Sequence, residues 1–281
     1  MHRAVRGKVS HSFVGGKTPY WTCRAVLTCC FSAGLRLLYL FMHSLTNYSD
    51  PHDDIGSVEA IAQLKSVYTS LPDYRMVVPA LFKFGLKTLP EHCKLTPGIP
   101  LKPMLAFPTH SISEVLDRFE SLSFTCEFKY DGERAQIHRL ADGRAFIYSR
   151  NSENMTQKYP DIMSKLSLIT IPDRSSVSYV LDCEVVAFNT KDHKILPFQT
   201  LSTRKRKDVS AESIEVQVCL FAFDILFLDG EPLLEKSFRE RRALLYSNFH
   251  EVPGEFYFAT HMDAQSTESI QQFLEESIQG F

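Results

Sequence analysis

At 281 residues, with 44% hydrophobic and 23% charged residues, the chain has the make-up of an ordinary globular protein with a sizeable core, forming one large domain or two small ones. A net charge of −2 argues against nucleic-acid binding by bulk charge, so any contact with a polyanion has to come from locally gathered cations. The seven cysteines are odd in number and form no C-x-x-C pair, which excludes a disulfide framework or zinc site and suits reduced thiols in a nuclear or cytosolic setting.

The charge is unevenly spread. Residues 1–49 hold six Lys/Arg and no Asp/Glu, which leaves 25 basic against 33 acidic residues in the remainder. Within that leader Val26 to Met42 is mostly apolar but carries Arg36, and it is short for a membrane span. An acid-free, Arg-bearing start admits a mitochondrial presequence; the preferred reading of residues 1–50 is an atypical leader without chemistry.

Asp53 to Ser70 reads as a helix capped by Asp53 or Asp54, with Val58, Ile61, Ala62 and Leu64 on one face. Tyr74 to Leu89 is a second helix, interrupted by Pro79 and Gly85. A Pro-rich stretch from Leu89 to Leu105 reads as a stiff linker. Ser111 to Ser121 is a short amphipathic helix capped by Ser111 or Ser113. Two alternating runs, Arg134–Leu140 and Arg144–Arg150, flank Asp142-Gly143 and predict a hairpin. Pro160 to Leu168 is expected to be helical, Ser178 to Phe188 a strand with Asp182 and Glu184 on one side, and Ile195 to Leu201 extended. Val216 to Leu228 is a long strand closed by Asp229-Gly230. A basic helix over Ser237–Phe249, a strand over Glu255–Ala259 and a helix over Ser266–Ile278 complete the chain. Strands and helices mix without strict alternation, so the expected class is α+β with antiparallel sheets.

The stretch Phe124 to Arg134 organises the rest. It reads as a strand ending in an Asp131-Gly132 turn, with Phe124, Cys126 and Phe128 on one face and Glu127 and Lys129 on the other. A lysine at a strand end between two aromatics is a candidate nucleophile, but an amine attacks only when neutral and a free lysine titrates near about 10.4. Burial or neighbouring cations such as Arg134 would lower that value. On spacing alone, a solvated strand lysine is the commoner case.

Lys129-Tyr-Asp-Gly-Glu-Arg134 resembles the K-x-D-G-x-R signature of covalent nucleotidyltransferases, the superfamily of ATP-dependent DNA ligases, RNA ligases and mRNA capping enzymes. The flanks from Phe124 to His138, with Tyr148–Asn151, Lys158–Asp161, Pro197–Gln199, Thr203–Lys207 and Phe221–Leu226, are similar in order to eukaryotic ATP-dependent DNA ligases of the DNA ligase I type, over roughly Asp53 to Phe281. The resemblance implies a nucleotidyltransferase (ATP-grasp-like) adenylation domain with antiparallel sheets and flanking helices at 103–281. It implies a remnant of an all-helical DNA-binding domain plus the linker at 51–102.

The implied reaction is nick sealing with ATP and Mg²⁺ through a lysyl-AMP intermediate, in DNA replication, repair and recombination. The resemblance makes Lys129 the nucleophile, places Glu127 and Phe223 beside the base, and sets Arg134 and Arg150 on the sugar and phosphates. It gives Glu184 to nucleotide and metal; Asp182 either assists it or pairs with a core arginine. Phe198 is implied to meet the DNA minor groove. Arg204 to Lys207 is the densest basic run, with Arg204 and Lys205 expected on DNA phosphates. The expected partners are nicked duplex DNA and replication or repair factors, with no membrane, in a nuclear monomer. Further family motifs and an oligonucleotide-binding barrel are not found before Phe281, so little stable lysyl-AMP is expected from these residues. An RNA ligase or capping-type enzyme, or a non-catalytic DNA- or partner-binding form, stays open.

Overall fold

Residues 57–119, 122–171, 177–205, 214–264 and 267–279 are described by the computed structural model. The leader, the Asp53 and Asp54 caps, and Arg206 and Lys207 lie outside the described residues. The chain divides between Lys94 and Leu95 into two compact units.

The first unit is a helical hairpin, α1 (Ser57–Ser70) and α2 (Tyr74–His92). The buried stripe of α1 is Ala60, Leu64 and Val67, continued by Leu71, while Ala62 is exposed; the apolar face is rotated from the one expected. Asp73 caps α2 by accepting from the Arg75 amide. Gly85, at φ 73 and ψ 168, breaks the helical path where only glycine takes such a backbone cheaply.

The second unit contains α3 (Ile112–Phe119), β1 (Phe124–Glu127), β2 (Glu133–Arg139), β3 (Ala145–Ser149), α4 (Pro160–Lys165), β4 (Tyr179–Asn189) and β5 (Lys194–Ile195). It continues with α5 (Phe198–Ser202), β6 (Val218–Leu228), β7 (Glu231–Pro232), α6 (Phe238–Asn248), β8 (Phe256–Phe258), β9 (His261–Ala264) and α7 (Thr267–Gln279). The main sheet runs β3-β2-β4-β6-β7, with β5 on β4 and β8 on β6. All its pairings are antiparallel except β8, which lies parallel to β6. The Asp142-Gly143 hairpin forms as expected, with Gly143 at φ 86. Among the described residues no helix is long and apolar enough to cross a membrane.

Two expectations fail locally. The segment Ile195–Leu201 is helical from Phe198, with Pro197 at its N-cap at φ −56 and ψ 150. The strand of the lysine motif stops at Glu127 and does not join the main sheet. It pairs instead with β9, from Phe124↔Ala264 to Glu127↔His261, as a separate two-stranded sheet.

One face of the main sheet carries the large core, where Ala135 and Ile137 of β2 meet Leu181, Cys183 and Val185 of β4 and, with Leu245 and Phe249, the α6 end of the unit. Both faces of β4 are covered, so its burial is continuous. Two register shifts against β4 pass over Phe223 and Leu226 of β6. The second lets consecutive Leu226 and Phe227 enter one cluster with Val180, Leu95 and Leu101.

Leu95 and Leu101 belong to the Pro-rich stretch, which is therefore fastened to the sheet from Leu95 onward. Gln136 accepts from the Leu101 amide (3.0 Å) and donates to its carbonyl (2.6 Å), and the Gly98 amide donates to Nδ1 of His138 (3.0 Å). His138 thus needs a bare Nδ1, and burial pushes its pKa down to about 3. Below its usual 6.5 the unfolded chain takes up a proton that the folded chain refuses. Stability is then expected to fall as pH drops from 6.5 toward about 3, by about 1.4 kcal/mol per unit from this group. Denaturant titrations at pH 7, 6 and 5 check this; His138→Asn, which keeps an acceptor, should flatten the slope.

Candidate active site

Lys129 sits in the link between the two sheets. The residues on either side of it are anchored and its own side chain is exposed. The Phe128 amide donates to the Thr260 carbonyl (2.9 Å), and its ring meets Phe273 of α7 at 4.8 Å. Tyr130 is 4% exposed and stacks on Phe221 at 4.1 Å. Among the described residues the Lys129 amine has neither an ion pair nor a hydrogen bond. The sequence expectation of one shared strand face for Glu127 and Lys129 gives way to this arrangement, because β1 ends before Lys129.

The turn after the lysine is pressed against β4. A Cβ on Gly132 would lie 2.1 Å from the Val185 carbonyl oxygen, 2.9 Å from Val186 Cγ1 and 3.0 Å from Glu184 Cγ. The φ of Gly132 is not in the left-handed region, so glycine is needed here for room. This contact brings the lysine loop against the strand segment that carries Glu184.

Arg134 and Glu184 are direct partners in the β2–β4 register. Since Ala135, Leu181, Cys183 and Val185 fill the large core, alternation turns Arg134, Asp182 and Glu184 to the opposite face. There Arg134 binds Asp182 as a fork, Nε to Oδ1 at 2.9 Å and Nη2 to Oδ2. Of the two roles weighed for Asp182, the structure has the arginine pair. Burial works against the Arg134 charge, but the Asp182 hydrogen bonds, with the fields of Asp182, Glu184 and Asp224, outweigh it and raise its pKa. The guanidinium lies over Phe223 at 5.2 Å. Phe223 itself is 4% exposed, packed with Tyr130, Val186 and Phe221, so its ring meets Arg134 rather than open space.

Glu127 is buried at the end of β1, opposite His261. Burial, helped by the Glu127 carboxylate, pushes the Cys126 thiol up to about 11, which fits an inert reduced cysteine. Glu184 is also buried, Arg150 is exposed just past β3, and Phe198 is 39% exposed at the start of α5. Lys205 is exposed.

Arg204 departs from its expected role. It is buried, and its guanidinium bonds Asp161 Oδ2 (3.0 Å), Asp161 Oδ1, the Val216 carbonyl (2.8 Å) and the Lys158 carbonyl (3.1 Å). It lies over the Tyr159 ring at 5.0 Å. An arginine spent on a buried carboxylate and two carbonyls is not presented to DNA phosphates. The same segment holds β2: Lys158 Nζ and the Tyr159 hydroxyl both donate to Glu133. The Lys158–Asp161 motif is thus a structural lock, a role its resemblance to the family did not specify. Asp224 is held by Arg241 through two bonds of 2.8 and 3.0 Å, a pairing for which the sequence carries no local signal.

An ATP dependent DNA ligase domain model matches residues 103–280, and the chain belongs to that family. Its curated relatives include DNA ligase 1 of Schizosaccharomyces pombe, 56% identical over 221 residues, covering 79% of this chain and 28% of that protein. DNA ligase 1 of Drosophila melanogaster is 49% identical over 79% of this chain and 30% of its own length. DNA ligase 1 of Saccharomyces cerevisiae is 46% identical over 85% of this chain and 32% of its own length. The chain thus spans about a third or less of these relatives.

Proposed function

We propose that the chain provides the adenylation chemistry of an ATP-dependent DNA ligase acting on nicked duplex DNA. The Lys129 amine, once it has lost a proton, attacks the α-phosphate of ATP. An N–P bond forms, and the bond to the departing pyrophosphate breaks. The AMP then moves to a DNA 5′-phosphate, and a 3′-hydroxyl displaces it. Each step is phosphoryl transfer, governed by positioning and charge neutralisation.

The observation that carries this reading is the Gly132 contact, which presses the lysine loop against β4 beside Glu184, opposite Arg134. In the proposal Arg134 and Arg150 address the sugar and phosphates, and Glu127 lies on the adenine side. Phe223 backs Arg134. Glu184 is an oxygen donor suited to Mg²⁺, which takes one or two carboxylates and fills its remaining positions with phosphate oxygens and water. Bound there, Mg²⁺ would offset phosphate charge. Phe198 and Lys205 are proposed to face DNA. Replication, repair and recombination in the nucleus are the proposed setting.

Incubation with α-labelled ATP and Mg²⁺ tests the reading. Acid-labile label on the chain, absent from Lys129→Ala, is expected, and its dependence on Lys129 matters more than its yield. Label that persists in Lys129→Ala, or no label and no ATP binding by the unaltered chain, removes the proposal.

A further inference from the structure

We infer that Tyr130 and Thr260 are positioning residues that hold the nucleophile's backbone from β9's side of the site; the inference rests on Lys129 being the adenylated residue. Three polar groups of Thr260 are committed to the residues flanking Lys129. Its carbonyl accepts from the Phe128 amide at 2.9 Å. Its amide donates to the Tyr130 hydroxyl at 3.0 Å, and its Oγ1 accepts from the same hydroxyl at 3.2 Å. The Tyr130 hydroxyl therefore both gives and takes a hydrogen bond with one residue 130 positions away in the chain.

The two anchors divide the labour. The Tyr130 ring fixes the loop to β6, by stacking on Phe221 at 4.1 Å with 4% exposure. The hydroxyl fixes it to the segment between β8 and β9, and Ala259 beside Thr260 bonds the Ala222 carbonyl at 2.8 Å. Lys129 is thus strung between the two sheets, with its side chain exposed and its backbone held on both sides. An exposed amine reaches an in-line position reproducibly only if its backbone is fixed, because a displacement of about 1 Å can cost about 100-fold in rate.

Tyr130→Phe keeps the ring and removes only the hydroxyl. Single-turnover labelling with ATP should slow by about tenfold, the worth of about 1.4 kcal/mol of lost positioning. The apparent ATP KM should stay within about twofold, since Arg134 and Glu184 lie on the main sheet. Thr260→Val should slow the step to a smaller degree, and Thr260→Ser, which keeps the acceptor, should restore it. A purely structural role would instead lower thermal stability and raise KM together. Wild-type labelling rates in both Tyr130→Phe and Thr260→Val, with Lys129-dependent label intact, would overturn the inference while sparing the functional reading. No label and no ATP binding by the unaltered chain sink that reading and this inference together.

Discussion

If Lys129 is the adenylated residue, as proposed, Gly132→Ala is expected to lower the labelling rate by about 100-fold or more through displacement of the lysine loop. The argument is one of space. The added methyl carbon would sit 2.1 Å from the Val185 carbonyl oxygen, a backbone atom in the middle of β4. Val185 is fully buried and in register with both neighbouring strands, at Glu133 and Leu220, so it cannot recede. The loop has to move instead, and it carries Lys129, while Arg134 stays in β2 opposite Glu184. Overpacking of this kind also costs about 1–3 kcal/mol of stability, so the labelling is to be measured well below the melting transition. Titration of ATP binding separates the two consequences. Binding should weaken less than labelling, because Glu184 belongs to the strand that stays in place. An alanine variant labelled at the wild-type rate would show that the lysine loop is not seated against β4.

Local signals were the ones the sequence made readable. The Asp142-Gly143 hairpin and the Asp229-Gly230 closure of β6 depend on residues that take positive φ, and both are found there. The α6 start lies one residue beyond the expected Ser237, which is its N-cap and forms a reciprocal cap with Glu240. The candidate site is legible in part, because the lysine motif lies within six residues. Its partners are distant in the chain. β9 is not legible because His-Met-Asp-Ala is only four residues long and holds no β-branched or aromatic residue, and it is a strand only by pairing with β1. Thr260, 131 positions beyond Lys129, gives no local signal, because its role lies in hydrogen bonds to a residue far away in the chain. The Asp182 question could not be closed from sequence, since a carboxylate two residues from Glu184 suits a metal ligand or an arginine partner equally. Only the register, with Arg134 opposite Glu184, puts Arg134 within reach of it.

The basic run Thr203–Lys207 shows the limit most plainly, and it yields a sharp test. Composition treats its cations alike, yet Arg204 is 7% exposed and its neighbour Lys205 is exposed. Arg204→Leu would strip Asp161, itself 9% exposed, of its cation and leave two backbone carbonyls without that donor. Breaking a buried ion pair by removing one partner costs about 3–5 kcal/mol, because the remaining charge is uncompensated. For a unit of this size that corresponds to a fall in Tm of about 6–20 °C without any DNA present. Replacing both partners, as Asp161→Leu with Arg204→Leu, should recover part of the loss, since a well-packed apolar pair avoids the desolvation penalty. Lys205→Ala should behave in the opposite way: unchanged melting, and weaker binding to nicked duplex with a salt slope shallower by about 0.9. If Arg204→Leu melts like the unaltered chain and loses only salt-sensitive DNA binding, Arg204 is a phosphate contact after all, and the lock between Arg204, Asp161 and the Lys158 carbonyl does not hold α5 in place.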